Sequence, residues 1–244
     1  MGHSVLVVED ADDIRALVVR VMQRAGIDVR EARNGRECLA RVHEQQPDLV
    51  VLDLGLPDTD GTEVCRQLRA MSNCYVLMLT GRAEEVDILA GLASGADGYM
   101  IKPFSPRELT ARVQAMLRRT RPEPAAVVHD RQLRRRSTDL EPDVGNVRRV
   151  GDLEVDLDAR EVRIATTHIP VTRTEFDLLA ILAGKPGRVF ERETLLREVW
   201  QTDWEGDARV VEVHMSNLRR KLVTAGVLSP DIRTVRGVGY RLVL

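Results

Sequence analysis

Five polar side chains stand directly after short aliphatic runs: Glu9 and Asp10 after SVLVV, Asp53 after LVVL, Thr80 after YVLML and Lys102 after GYMI. Aliphatic runs of this length bounded by turn residues read as strands buried on both faces, as in parallel sheets. A carboxylate ending such a strand must be compensated by a cation or by hydrogen bonds, or it protonates. Glu9, Asp10 and Asp53 at one sheet edge would repel one another unless a hard divalent cation with oxygen ligands, most simply Mg²⁺, sits among them. Lys102 adds a fixed positive charge and Thr80 a hydroxyl donor. Carboxylate nucleophile, metal, cation and donor are the parts needed to accept a phosphoryl group, whose equatorial oxygens carry the charge to be stabilised. Singly, each has a plainer reading: Asp53 as a turn former, Glu9-Asp10 as a helix N-cap, Thr80 and Lys102 as uninformative. All of them at one edge of one sheet point to a site.

Gathering them requires an α/β fold. The first 118 residues alternate strand-like and helix-like segments five times, the pattern of a doubly wound (βα)5 parallel sheet. The expected strands are Ser4–Val8, Asp28–Ala32, Leu49–Leu52, Tyr75–Leu79 and Gly98–Ile101. A first helix carries Ile14, Leu17, Val18, Val21, Met22 and Ala25 at helical spacing and stops at Gly26, and others are expected at about 35–46, 61–71, 84–94 and 106–119. In such sheets ligands bind outside the carboxyl ends of the strands, where the strand order reverses.

From Arg119 to Gly151 the periodicity dissolves into mixed charges and prolines, a linker rather than a packed segment. Arg134, Arg135 and Arg136 within it read as a solvated charge run. Beyond Gly151, alternating segments at 153–158, 161–165 and 168–171 suggest an antiparallel meander. Helical patterns at about 174–184, 191–200 and 207–223 follow, then a glycine-containing hairpin, IRTVRGVGYRLVL. Helices followed by such a hairpin suggest a winged helix-turn-helix. The expected division is therefore 1–119, a linker over 120–151, and 152–244.

Within the third of these helices, Val211, Met215, Leu218 and Leu222 fall in one stripe and should face the core. The opposite face then carries Arg209, Val213, Ser216, Asn217 and Arg220, a mixture suited to a major groove: Arg for phosphate or guanine, Asn for adenine, Val for a thymine methyl. His214 and Arg219 flank it within reach of phosphates. Arg236, in the RGVG tip of the hairpin, could enter a narrow minor groove.

Charge supports two different partners. Residues 1–117 carry 13 basic against 18 acidic side chains, 118–146 carry 7 against 5, and 147–244 carry 16 against 15. No apolar run approaches the roughly 20 residues of a spanning helix and the N-terminus lacks a leader pattern, so a cytoplasmic protein without membrane contact is expected. Cys38, Cys65 and Cys74 show no C-x-x-C pair and read as reduced thiols packed as small hydrophobes.

VLVVED, LVVLDLGLPDTDG, VLMLTG and GADGYMIKPF make residues 4–119 resemble the receiver domain of bacterial two-component response regulators. VTRTEFDLLAIL, ARVVEVHMSNLRRKL and IRTVRGVGYRL make residues 152–244 resemble the winged-helix effector domain of the OmpR/PhoB family. The resemblance implies that Asp53 accepts phosphate from a sensor histidine kinase, with Mg²⁺ organised by Glu9, Asp10, Asp53 and the Gly55 backbone carbonyl. It implies that Lys102 pairs with a phosphoryl oxygen, that Thr80 and Tyr99 form a switch, and that Lys102-Pro103 is a cis peptide. Thr234 and Tyr240 become candidate DNA-backbone contacts, and the loop 201–207 with Trp204 a candidate RNA polymerase contact.

Family receivers pair through their fourth helix, fifth strand and fifth helix. Asp97, Glu108, Arg112 and Arg119 stand where charged partners of a homodimer are expected, whereas Ile88 and Gly98 replace two others and leave only an Asp97–Arg119 pair. The resulting expectation is a DNA-binding response regulator that associates when phosphorylated and has at most slow autodephosphorylation. The alternatives are a regulator of the same fold acting without phosphate, and an Asp-nucleophile phosphatase. The latter lacks its second acid, because Gly55 holds that place.

Overall fold

The computed structural model describes residues 2–81, 85–118, 146–200, 209–227 and 229–244. Strands β1 (Ser4–Val8), β2 (Asp28–Ala32), β3 (Leu49–Asp53), β4 (Tyr75–Thr80) and β5 (Gly98–Ile101) form one sheet in the order β2-β1-β3-β4-β5, with every pairing parallel. Helices α1 (Asp12–Arg24), α2 (Gly35–Glu44), α3 (Gly61–Met71), α4 (Glu85–Ala93) and α5 (Pro106–Arg118) connect or follow them. The period-two alternation of side chains divides the core in two. Val5, Val7, Leu49, Val51, Leu77 and Leu79 pack with Val18, Met22, Leu109 and Val113 of α1 and α5. Leu6, Val8, Val50, Leu52, Val76 and Met78 pack on the other face with Cys38, Val42, Val64, Cys65 and Leu68 of α2 and α3. All three thiols are free and buried, and burial raises them, Cys38 to about 12.

The second unit opens with a four-stranded antiparallel sheet, β6 (Val147–Val150), β7 (Leu153–Asp156), β8 (Glu161–Ile164) and β9 (Thr167–His168). Strand β6 falls inside the stretch that composition suggested was linker. VRRV alternates too briefly to be told from a charged coil until β7 pairs with it. Then come α6 (Arg173–Ala183), β10 (Phe190–Glu191), α7 (Arg192–Trp200), α8 (Arg209–Thr224) and the hairpin β11 (Asp231–Val235) and β12 (Gly239–Val243), on which β10 pairs as a third strand. Helix α6 begins with a capping box: Thr172 Oγ1 accepts from the Glu175 amide and Glu175 accepts from the Thr172 amide. Gly239 lets β12 pair closely with β10, since a Cβ there would lie 1.9 Å from the Phe190 carbonyl oxygen.

The two units share a core. Leu92 of α4 is buried within the hydrophobic cluster of the second unit, and Ile88 and Tyr99 pack against the same cluster. Among the described residues no helix is long and apolar enough to cross a membrane.

Candidate functional site

Glu9, Asp53, Thr80 and Lys102 meet where the carboxyl ends of β1, β3, β4 and β5 converge. Lys102 Nζ lies 2.7 Å from Glu9 Oε2 and 2.8 Å from Asp53 Oδ1. Asp53 and Glu9 are buried, 5% and 1% exposed, whereas Asp10 faces solvent. One carboxylate oxygen from each of Glu9, Asp10 and Asp53 lies within 4.8 Å of the others. An all-oxygen, acidic and partly open cluster of this kind fits a hard divalent ion such as Mg²⁺. Burial, only partly offset by Lys102 and reinforced by the neighbouring Asp53 charge, raises the Glu9 carboxyl above its ordinary range. Burial pushes the Lys102 ammonium down, but its bonds to Asp53 and Glu9 outweigh that and leave it raised. The pocket therefore holds a firmly charged cation against two carboxylates.

The backbone around Asp53 is shaped for close approach. Leu54 donates to the Leu79 carbonyl, and the Gly61 amide donates to the Leu54 carbonyl. A Cβ on Gly61 would lie 2.5 Å from the Asp53 carbonyl oxygen, so only glycine lets α3 start this near the end of β3. Gly55 sits beside Asp53, its Cβ direction 3.4 Å from Asp53 Oδ2. Thr80 is buried at the end of β4, its carbonyl accepting from the Lys102 amide at 2.7 Å. The Lys102-Pro103 peptide is cis. Tyr99 is half-buried on β5, packed toward the second unit.

The DNA-reading candidates separate into two groups. Arg209, Ser216, Arg220, Thr234 and Arg236 are exposed, and Val213 and Arg219 are half-buried. His214, Asn217 and Tyr240 are buried, at 0%, 5% and 4% exposure. For His214 and Asn217 this departs from the helical-wheel reading. Val211, Met215, Leu218 and Leu222 do face the domain core, but a second stripe, Val210, His214 and Asn217, is buried beside it. Asn217 Nδ2 donates to the Leu92 carbonyl in the last turn of α4 at 3.3 Å, and its Oδ1 accepts from Arg220 at 3.0 Å. Arg219 is also engaged internally: Nε donates to the Ile232 carbonyl and Nη2 to Thr234 Oγ1, both at 2.7 Å. Its guanidinium and that of Arg192 lie 5.4 and 5.3 Å from the Tyr240 ring centroid. These contacts fix the hairpin to α7 and α8.

Asp97, expected on an open pairing face, is 1% exposed. Its Oδ2 accepts from Arg69 at 2.6 Å and from the Val76 amide at 2.8 Å. Its carbonyl accepts from Trp200 Nε1 at 3.0 Å across the domain seam. Burial pushes this carboxyl up, but Arg69, the His214 imidazole, the nearby Thr174 hydroxyl and the Val76 amide prevail and hold it below the usual range. The Arg173 guanidinium of α6 lies 5.1 Å from the Tyr75 ring centroid at the start of β4. Glu108 and Arg112 pair with each other along α5 at 2.9 Å, and Arg112 also donates to the Tyr99 carbonyl. The Asp97–Arg119 pairing is thus replaced, for Asp97, by an intrachain one with Arg69; Arg119 itself lies outside the described residues, as do 201–207 with Trp204 and Arg134–Arg136.

Sequence reasoning missed Arg69, Trp200 and Arg15. The spacing of Arg69 four residues after Cys65 and one after Leu68 hinted at an inward position, but a buried arginine cannot be told from an exposed one without its acceptors.

A phosphoryl-accepting type of sheet coupled to a winged helix defines the class: a two-component response regulator with a transcriptional output. Residues 5–114 match the response regulator receiver domain, and residues 166–242 match the transcriptional regulatory protein C-terminal domain. The DNA-binding response regulator MtrA of Mycolicibacterium smegmatis is 40% identical over 241 residues, covering 99% of this chain and 97% of that protein. The alkaline phosphatase synthesis transcriptional regulatory protein PhoP of Bacillus subtilis is 41% identical over 243 residues, with the same coverage. A solved structure of a RitR mutant superposes with a TM-score of 0.73 at 25% identity, over 99% of both chains. The chain belongs to the OmpR/PhoB family of DNA-binding response regulators.

Proposed function

We propose that Asp53 is the phospho-acceptor and that its phosphorylation uncovers the reading face of α8. One carboxylate oxygen of Asp53 attacks phosphorus, the bond from phosphorus to the donor histidine nitrogen of a sensor kinase breaks, and that nitrogen keeps the electron pair. Glu9, Asp10, Asp53 and the Gly55 carbonyl would hold Mg²⁺, which supplies charge neutralisation for the transferring group. Lys102, already bonded to Asp53 Oδ1, would shift to a phosphoryl oxygen, and Thr80 would donate to another. Tyr99, on the strand between this pocket and the second unit, would carry the change to the seam. The chain takes up phosphate rather than turning over a substrate, with at most slow autodephosphorylation.

The observation that carries this reading is the position of α8. Two of its candidate base and phosphate contacts, Asn217 and His214, are buried in the same chain whose phospho-acceptor pocket lies at the other end of β5. Opening the seam would free them to join Arg209, Val213, Ser216, Arg219 and Arg220 of α8 and, from the hairpin, Thr234, Arg236 and Tyr240 on promoter DNA. It would also bare the α4–β5 face for a second copy, and the receiver unit, 1–119, and the winged-helix unit, which begins with β6 at Val147, would act as separate modules.

The test pairs labelling with binding. Wild-type protein incubated with acetyl phosphate and Mg²⁺ should acquire an acid-stable, base-labile phosphoryl group and bind its selected DNA fragments more tightly. Asp53→Asn should do neither. Equal labelling of the variant rejects the acceptor, and labelling without tighter binding rejects the coupling.

A further inference from the structure

We infer that Arg15 is a positioning residue for the cation site, holding the backbone of Glu9 and Asp10 in the arrangement that lets their carboxylates converge on Asp53; this rests on the site reading above. Arg15 lies one turn into α1 and is 5% exposed, although it bears a charge on an outer helix. Its Nη1 donates to the Glu9 carbonyl at 2.9 Å and to the Asp10 carbonyl at 3.2 Å. Its Nε donates to Glu31 Oε2 at 3.2 Å, and its Nη2 to Asp12 Oδ1. One guanidinium thus ties together the β1–α1 turn, the first turn of α1 and the end of β2.

The turn needs such a tie. It must hold the carboxylates of two successive acids close to a third, against their mutual repulsion. Its usual local restraint is missing, because the N-cap of α1 is Ala11, which has no side chain to accept from the helix amides. Lys102 opposes the repulsion from the pocket side by binding the carboxylates of Glu9 and Asp53. Arg15 acts from behind, on the carbonyls rather than the carboxylates, so it leaves every ligand oxygen free. The planar fork matters: two carbonyls can be bridged by one guanidinium nitrogen while Nε and the other nitrogen are anchored elsewhere, which a lysine ammonium cannot reproduce.

Groups that hold metal ligands from behind typically contribute about 10- to 100-fold in metal affinity. In the full chain, Arg15→Gln should therefore raise the half-saturating Mg²⁺ for phosphorylation by acetyl phosphate about 10-fold, while the maximal rate at saturating Mg²⁺ is retained. The Mg²⁺ concentration that raises the thermal unfolding midpoint should move by the same factor, a readout independent of phosphorylation. Arg15→Lys, which keeps the charge but loses the fork, should shift both partway, and it decides the matter if R15Q does not fold. Unchanged Mg²⁺ requirements in a folded variant would overturn the inference, as would a lowered maximal rate with an unchanged requirement. A wild-type chain that shows no Mg²⁺ response at all would instead overturn the site reading, and this inference with it.

Discussion

Replacing Asp97 by alanine would strand the Arg69 guanidinium, whose three nitrogens otherwise bind Asp97, the Gly95 carbonyl and the Cys74 carbonyl beneath α3. Removing one partner of a buried pair typically costs about 3–5 kcal/mol, so Asp97→Ala should lose about that much in urea unfolding; a loss below about 1 kcal/mol, the range of exposed pairs, would show that Arg69 finds water instead. The pair also fixes a pH dependence. Burial raises the carboxyl, but Arg69, the His214 imidazole, the Thr174 hydroxyl and the Val76 amide outweigh it and leave a lowered value. A group depressed on folding contributes stability that is complete above its unfolded value, about 4, and is lost as pH falls through the lower folded one. The stability difference between wild type and Asp97→Asn should accordingly shrink as pH falls below about 4. A difference that grows on acidification would contradict the sign.

At the scale of elements, α8 serves two partners. One stripe anchors the winged helix on its own core, and the adjacent stripe is covered by the last turn of α4, with Leu92 filling the joint. Burying a leucine side chain stabilises by about 1.5–3 kcal/mol, and 1.4 kcal/mol is tenfold in an equilibrium. If the closed seam opposes DNA binding, Leu92→Lys should raise the affinity of the unphosphorylated chain for its DNA by about tenfold or more, measured by fluorescence anisotropy. Unaltered affinity would mean that α8 reads DNA without leaving α4. The hairpin is held to α8 by a different device, Arg219 bonded to the Ile232 carbonyl and Thr234 and lying near the Tyr240 ring. Arg219→Ala is therefore expected to loosen the wing, and hydrogen exchange of β11 and β12 amides should rise. Protection equal to wild type would show that these bonds do not hold the wing.

For the whole molecule, the proposed coupling makes closure a balance that added charge at one end of the sheet would tip at the other. Beryllofluoride with Mg²⁺, a stable mimic of the phosphoryl group at Asp53, should expand the chain in small-angle scattering and steepen the salt dependence of DNA binding, as more Lys and Arg side chains reach phosphates. The Asp53→Asn chain should keep its closed dimensions under both conditions. A wild-type chain equally compact with and without the mimic would argue that the seam is permanent.

Much of this was legible in the residues themselves. Glu9, Asp10, Asp53, Thr80 and Lys102 were readable as a cluster because a parallel strand delivers its terminal residue to a fixed edge, so five local patterns imply one common place. The stripe of Val211, Met215, Leu218 and Leu222 was readable because 3.6-residue periodicity is local. Strand β6, the burial of Asn217 and His214, and the partners of Asp97, Arg69 and Arg15 were not. A four-residue edge strand exists only through its neighbour, and whether a polar side chain faces water, DNA or another carbonyl depends on which distant surface meets it. Sequence by itself determined the two folds and the chemistry at the sheet edge; tertiary structure decided that one module covers the other, because that depends on complementarity between faces which carry no periodic signature.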